Sequence, residues 1–204
     1  LKIGSGHFIP GFEEQIIGET GNLMFQSGEQ GGYPEAFDYL QNYVRHNSIS
    51  KHTGLISKIK QNSSVPVIAS VNCISSTEWI SFARELEEAG ADAIELNIFY
   101  LPVGRNQSPE EVEKVYTDIV HEVRRLVRIP VSVKIGRHFS NIIGMAEKLK
   151  ASGASGLVLF NRFYEPDIDL EKLEMKSAEV FSSPAENAHL IRWIGLISSK
   201  VPNL

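Results

Sequence analysis

The sequence has a single cysteine and lacks both long apolar runs and long blocks of one charge. Cys73 cannot form an internal disulfide by itself, which fits the reducing cytoplasm. No stretch has the composition of a signal peptide or a transmembrane segment. The 25 acidic residues exceed the 20 lysines and arginines, and neither sign is clustered. These features argue against nucleic acid and membrane partners and predict a cytoplasmic protein with a small-molecule substrate.

Short apolar runs alternate with amphipathic segments from about Ser64 onward. A chain of 204 residues with 42% hydrophobic content can bury one substantial core, which favours a single main domain. The strand-like runs are rich in Val, Ile and Leu, and they are Val65–Val71, Asp92–Asn97, Pro130–Ile135 and Gly156–Asn161. Apolar runs that are each followed by a helical pattern predict βα units and a parallel sheet.

The helices between these strands carry explicit start and stop signals. Capping boxes are predicted at Ser75 with Glu78, Ser108 with Glu111 and Ser183 with Glu186, with Pro109 and Pro184 at the first helical position. Gly90 and Gly153 are predicted to end their helices in the left-handed conformation. The chain therefore repeats one plan of helix, glycine cap and strand.

The remaining segments give weaker signals. We expect helices at Pro34–Arg45 and Gly54–Lys60, and a loop at Gly18–Gly32. Tyr164–Phe181 is expected to be an excursion between a strand and the next helix. The glycine-broken residues 1–11 resemble an added or isolated segment as much as a strand, so the predicted partial (β/α) barrel domain covers residues 12–204.

A polar residue lies at the end of each strand-like run. Active sites of parallel βα barrels lie at these ends, and strand side chains alternate between faces. The paired residues on one face are Ser70 with Asn72, Glu95 with Asn97, Ser132 with Lys134, and Leu159 with Asn161. If that face points inward, we expect Asn72, Asn97, Lys134 and Asn161 to converge on one pocket.

This polar set suits a flat heterocycle with imide and carbonyl groups, such as an isoalloxazine. Asn amides offer a donor and an acceptor, and Lys134 would neutralise charge that develops on the ring. The competing interpretation is that each Asn merely ends a strand and that Lys134 extends to solvent. Arg162 lies just beyond the last of these strands and would suit an anionic substrate. His121, His138 and His189 lack the spacing of a metal site.

The runs Val67–Asn72, Gly90–Asn97, Val131–Lys134 and Gly156–Asn161 together resemble the dihydroorotate dehydrogenases of pyrimidine metabolism. The similarity extends over roughly residues 12–200. It implies a TIM (β/α)8 barrel, here incomplete because the first strands and the last two βα units are not evident. It also implies an FMN cofactor and a flavin-dependent oxidoreductase.

The resemblance also implies roles for individual residues. Asn97 would contact both flavin and substrate, Lys134 would contact the FMN ring, and Asn161 would touch the substrate. The flavin contact near the earlier strand falls on Asn72 or on Ser70, because related enzymes carry an Asn two residues before Asn72.

Several features of the sequence depart from the family. The Cys or Ser base of the family falls on Tyr100 when counted from Asn97, and on Leu101 when counted back from Pro102. Leu is not a base, and Tyr ordinarily has a pKa of about 10. Glu29 and Gln30 occupy a loop that normally carries Asn.

Parts of the family's FMN site are not evident in the sequence. Two elements of the family's FMN site are missing from the pattern. They are a flavin-contacting Lys before residue 12 and the phosphate-binding loops after strands seven and eight. We therefore expect weak FMN binding unless further segments or a second copy, as in a homodimer, complete the barrel. Two other hypotheses remain open: a degenerate barrel that only binds a ligand, and a lyase or aldolase with a Schiff base at Lys134.

Overall fold

Strands and helices alternate along the chain in the order that the sequence pattern predicts. The protein is represented by a computed structural model that describes residues 2–4, 49–72, 76–98, 100, 102, 104–161, 166–177 and 184–204. Its strands are β1 Lys2–Gly4, β2 Ile68–Val71, β3 Ala93–Asn97, β4 Val131–Ile135, β5 Gly156–Leu159, β6 Pro166–Asp169 and β7 Glu174–Ser177. Its helices are α1 over residues 49–62, α2 Ser76–Glu88, α3 Pro109–Arg124, α4 Ile142–Ala151 and α5 Glu186–Lys200. This is an α/β fold with parallel strands.

The chain divides into two compact units. The first comprises Leu1–Leu96 and Glu122–Val131, and the second comprises Asn97–His121 and Ser132–Leu204. In the first unit, β2 pairs in parallel with β1 on one side and with β3 on the other. Apolar side chains of α1, β2, α2 and β3 form its core, including Ile56, Ala69, Leu86 and Ile94, which are fully buried.

The strand Lys2–Gly4 is the first difference from the sequence analysis, which could not separate this segment from an isolated remnant. Its pairing with β2 places Ile3 opposite Ala69. The proposed boundary at residue 11 lies outside the described residues, as do the expected helix Pro34–Arg45 and the expected loop Gly18–Gly32. The helix that was predicted at Gly54–Lys60 is confirmed, and it extends over residues 49–62.

The second unit is built around β4 and β5, which pair in parallel with Val133 opposite Leu157. Helices α3 and α4 contribute the buried side chains of Tyr116, Met145 and Leu149. Helix α5 contacts α4 and buries Ile197. The helices of the described residues include none that is long and apolar enough to cross a membrane.

The predicted helix signals can be compared with the structure one by one. The capping box at α3 is confirmed, because the Ser108 amide donates to Glu111 at 2.8 Å and the Glu111 amide donates to Ser108 Oγ at 3.2 Å. Gly90 and Gly153 have φ angles of 97° and 105°, so both left-handed caps are also confirmed. Ser75 and Ser183 lie outside the described residues.

The start of α5 was predicted two residues too early. Pro184 and Ala185 form a turn, with the Asn187 amide donating to the Pro184 carbonyl at 3.2 Å, and the helix begins at Glu186. Proline suits this turn as well as a first helical turn, because both require a φ near −65°. Pro184 therefore lies in the turn before the helix and is not its first residue.

The predicted excursion Tyr164–Phe181 contains an antiparallel hairpin of β6 and β7. Asp169 organises its turn, because its carboxylate accepts hydrogen bonds from the amides of Glu171 and Lys172 at 3.0 and 3.1 Å. The Leu173 amide closes the turn by donating to the Asp169 carbonyl at 2.8 Å.

Candidate active site

Ser70 and Glu95 form a buried polar pair in the first unit. They are opposite each other in the register of β2 and β3, and their side chains are 6% and 2% exposed. The Ser70 hydroxyl donates to Glu95 Oε1 at 2.8 Å. The predicted flavin contact at Ser70 therefore has its hydroxyl proton directed to Glu95, a residue to which the sequence analysis gave no role.

Asn72 lies one residue beyond β2 and is exposed. The residues that follow it, 73–75, are outside the described part of the chain. Ser70, two residues earlier, is buried. The two alternatives for the flavin contact thus differ in environment, and only Ser70 lies in the interior of its unit.

Asn97 is the last residue of β3 and belongs to the second unit. Its side chain is half-buried, and its Oδ1 atom is fully buried without a hydrogen-bond partner in the part of the chain that the structure describes. An unsatisfied buried acceptor costs roughly 1–3 kcal/mol, so native proteins rarely retain one without a reason. A ligand with an N–H or O–H donor would satisfy it.

Lys134 lies on the less buried face of β4. Val131, Val133 and Ile135 are buried, whereas Ser132 and Lys134 are half-buried. The predicted alternation of this strand is therefore confirmed.

The predicted face of β5 was wrong. The register pairs Lys134 with Val158 and pairs Ile135 with Leu159. Paired residues of neighbouring strands share a face, so Leu159 lies on the face opposite Lys134. The error arose because a slip of one residue in an all-apolar strand cannot be detected from its sequence.

Asn161 is buried, with 5% of its surface exposed, two residues beyond β5. Its backbone amide donates to the Ile135 carbonyl at 2.8 Å, and its Nδ2 donates to the Ile98 carbonyl at 3.1 Å. Because Ile98 directly follows Asn97, the structure connects two of the predicted site residues through one peptide.

Tyr116 is a further residue of this region, and the sequence analysis treated it only as part of the apolar stripe of α3. It is fully buried, and its hydroxyl donates to the carbonyls of Tyr100 at 3.3 Å and Ile98 at 3.5 Å. Its ring packs edge to face against Phe139 at 5.1 Å. Burial raises the pKa of Tyr116 well above its ordinary value, so its hydroxyl remains a donor at neutral pH.

Tyr100, at the predicted base position, is half-buried. Its hydroxyl oxygen accepts a hydrogen bond from Gln107 Nε2 at 2.5 Å, while Gln107 Oε1 accepts from the Gly104 amide at 3.3 Å. The second bond fixes the orientation of the Gln107 amide, so the phenol acts as the acceptor and its own proton is directed elsewhere. Leu101 and Arg162 lie outside the described residues.

The loop after β4 adds two ionisable side chains. The His138 ring lies 4.5 Å from that of Phe139 and 6.2 Å from that of Tyr116, and burial lowers the pKa of His138. Its imidazole is therefore neutral at pH 7. The guanidinium of Arg137 lies 5.6 Å from the centre of the Phe160 ring, which is within the range of a cation–π contact.

Comparison with known proteins identifies the relatives of this chain. No family model matches it. It is 34% identical over 155 residues to the catalytic subunit of dihydroorotate dehydrogenase B (NAD(+)) from Thermoplasma volcanium, which covers 70% of this chain and 49% of that protein. The chain is similar to the dihydroorotate dehydrogenases. The corresponding subunit from Thermoplasma acidophilum is 33% identical over 120 residues, covering 55% of this chain and 37% of its own length.

A dihydroorotate dehydrogenase A (fumarate) from Limosilactobacillus reuteri is similar as well. It is 29% identical over 139 residues, which cover 64% of this chain and 44% of the relative. The family resemblance inferred from the strand motifs is therefore confirmed. As a dihydroorotate dehydrogenase relative, the chain spans about half the length of the curated proteins it matches.

Solved structures resemble the chain only distantly. A dihydrodipicolinate synthase from Acinetobacter baumannii, complexed with pyruvate, has a TM-score of 0.40 and 22% identity, covering 53% of this chain and 37% of that one. Another synthase of this name, from Oceanobacillus iheyensis, has a TM-score of 0.35 and 10% identity, covering 55% and 50%. Likenesses this distant indicate neither a shared fold nor a shared reaction.

Proposed function

We propose that the protein is an FMN-dependent oxidoreductase of the dihydroorotate dehydrogenase type, acting on a small cyclic or unsaturated substrate. The observation that carries this proposal is the buried Oδ1 of Asn97 at the end of β3, which has no hydrogen-bond partner among the described residues. Asn97 is one of the positions to which the family resemblance assigns a flavin contact. The names of the curated relatives support an oxidoreductase.

The residues of the second unit fit a flavin. An isoalloxazine carries an imide N–H, which is the type of donor that Asn97 Oδ1 requires. The ammonium group of Lys134 would stabilise negative charge on the reduced ring. When bound, FMN would supply hydride transfer between its ring and a substrate carbon. The closed (β/α)8 barrel, with a phosphate site after its last two strands, belongs to the same proposal.

The Tyr100 hydroxyl suits the role of a proton donor in reduction of the substrate. A phenolic hydroxyl can donate its proton directly, whereas it must first lose that proton before it can remove one from carbon. The Gln107 bond leaves the Tyr100 proton available for a ligand. In this direction, one carbon of a double bond would receive a hydride from reduced FMN, Tyr100 would donate its proton to the other carbon, and the resulting phenolate would regain a proton from solvent.

The cofactor is tested on the full-length protein by its absorption spectrum and by FMN titration. We expect a yellow protein, and we expect Asn97→Ala and Lys134→Gln each to weaken FMN binding by about tenfold or more, since each removes one buried polar contact. Asn187→Ala and Lys200→Gln, at exposed positions of α5, are the matched controls. A colourless protein that FMN does not stabilise against heat would refute the proposal.

The direction of the reaction is tested with orotate and dihydroorotate as probes. We expect Tyr100→Phe to retain FMN affinity but to lower turnover by about 100-fold, in line with the loss of a general acid. Equal turnover in Tyr100→Phe and the unmodified protein would remove Tyr100 from the reaction while leaving the flavin assignment intact.

A further inference from the structure

The segment that follows Asn97 is held by two side chains from elsewhere in the second unit. Asn161 Nδ2 donates to the Ile98 carbonyl at 3.1 Å. The Tyr116 hydroxyl donates to the same carbonyl at 3.5 Å and to the Tyr100 carbonyl at 3.3 Å. Both carbonyls lie immediately beyond the end of β3, between the candidate flavin contact and the candidate proton donor.

Both donors are fixed before any ligand arrives. Asn161 is anchored through its own backbone amide, which donates to the Ile135 carbonyl at 2.8 Å, at the end of β4. Tyr116 is fully buried, and Phe139 packs against its ring. The two side chains therefore connect this loop to β4 and to the middle of α3.

We propose that Asn161 is a positioning residue and that with Tyr116 it forms a loop clamp. The loop clamp consists of the Asn161 amide and the Tyr116 hydroxyl on the carbonyls of Ile98 and Tyr100. It orients the amide of Asn97 and the phenol of Tyr100. Its effect on the reaction rests on the proposed function, whereas its effect on the loop does not.

The environment of Asn161 supports this assignment. Asn161 is 5% exposed, and one of its two Nδ2 hydrogens is donated to the Ile98 carbonyl, so the protein fixes the orientation of its amide. The hydroxyl of Tyr116 is likewise directed at the protein backbone. A clamp of this kind limits the rotation of the backbone at Ile98, the residue next to Asn97, and so helps to keep the Asn97 amide in one orientation for its ligand.

Hydrogen exchange of the unliganded protein tests the clamp without any flavin. In Asn161→Ala and in Tyr116→Phe, we expect the amides of residues 98–107 to exchange about fivefold or more faster, the effect of losing one net hydrogen bond. The isosteric Asn161→Asp removes the donor and is expected to act like Asn161→Ala. Asn187→Ala, at an exposed position of α5, should leave this segment unchanged.

The double variant distinguishes a clamp from two unrelated contacts. Because both donors restrain one loop, the combined effect of Asn161→Ala and Tyr116→Phe should be smaller than the product of the single effects. Multiplicative effects, or normal exchange in Asn161→Asp and Tyr116→Phe, would overturn the proposal.

Kinetics of the flavin-loaded protein give a separate result. Tyr116→Phe should lower kcat about tenfold with KM within twofold, whereas removing a substrate contact should raise KM. A raised KM for orotate in Asn161→Ala with unchanged hydrogen exchange would identify a substrate contact alone and overturn the clamp. Absence of flavin binding would count against the proposed function alone, because the exchange experiment is independent of it.

Discussion

Two asparagines of the second unit differ in the hydrogen bonds of their side-chain amides. Asn161 uses its side chain to hold the Ile98 carbonyl, and so contributes to the stability of the unliganded chain. The buried Oδ1 of Asn97 has no hydrogen-bond partner among the described residues, and this lowers the stability of the unliganded protein. Residues that are costly to the empty protein are commonly those that a ligand requires.

This difference predicts opposite outcomes in chemical denaturation. We expect Asn97→Ala to stabilise the flavin-free protein by up to about 3 kcal/mol, because it removes the buried acceptor whose lack of a partner carries that cost. Asn161→Ala should destabilise it by roughly 1–3 kcal/mol, since it leaves a carbonyl without its main donor. Equal destabilisation of the two variants in urea titrations would contradict this assignment.

At the level of helices and strands, much of the second half of the chain was predictable from sequence. Strand positions followed from apolar runs, and the caps at Ser108, Gly90 and Gly153 followed from residue chemistry, because such signals are local. The hairpin β6–β7 was not predicted, since its turn contains no Gly, Pro or Asn. It depends instead on Asp169 and on Leu173 in a left-handed conformation, with a φ of 54°.

The candidate site was predictable only in part. Asn97, Lys134 and Asn161 could be predicted as site residues because strand ends are marked by a change from apolar to polar residues. The hydrogen bonds of Tyr116 could not be foreseen, because a buried Tyr on a helix has the same spacing as any core residue. Likewise, the contact between Asn161 and Ile98 joins residues 63 positions apart in the sequence, beyond any local pattern.

Replacement of glycine by alanine should have opposite effects on stability at the end of a helix and inside a helix. Gly90 ends α2 with a φ of 97°, so Gly90→Ala should destabilise the protein by about 1–2 kcal/mol. Gly195 lies inside α5, where an added methyl group meets no atom within 4 Å. Gly195→Ala should therefore stabilise the protein by up to about 1 kcal/mol through helix propensity. Thermal unfolding of both variants measures the difference, and a destabilised Gly195→Ala would show that this glycine has another role.

Across the whole molecule, each unit carries its own part of the predicted site. Ser70 and Asn72 belong to the first unit, whereas Asn97, Lys134 and Asn161 belong to the second. That all the strand-end residues share one cavity remains a prediction.

The pH dependence of global stability should include a contribution from Asp92. Its carboxylate accepts hydrogen bonds from Lys60 at 2.8 and 3.0 Å and from the Val67 amide at 2.6 Å, and chiefly the Lys60 bond lowers the pKa of Asp92. A lowered pKa in the folded state stabilises the protein above the unfolded pKa of about 4, and this stability is lost as the pH falls through the folded value.

Comparison with Asp92→Asn isolates this contribution. The variant should be less stable than the unmodified protein at pH 7, and the difference should shrink below about pH 4. The effect will be modest because the Asp92 side chain is 42% exposed. Asp118→Asn, which removes an exposed ion pair with Lys114, should show little difference at any pH. A difference for Asp92→Asn that stays constant down to acid pH would exclude the proposed titration.

The turn between β6 and β7 has a practical consequence for work with this protein. Leu170 and Leu173 are 82% and 81% exposed, and hydrogen bonds to Asp169 close the turn. A fluorophore or an affinity tag attached between these leucines would disturb no buried side chain of the described residues. The signal of a fluorophore at this position could be measured during ligand titrations. Its attachment point is far along the sequence from both Asn97 and Lys134.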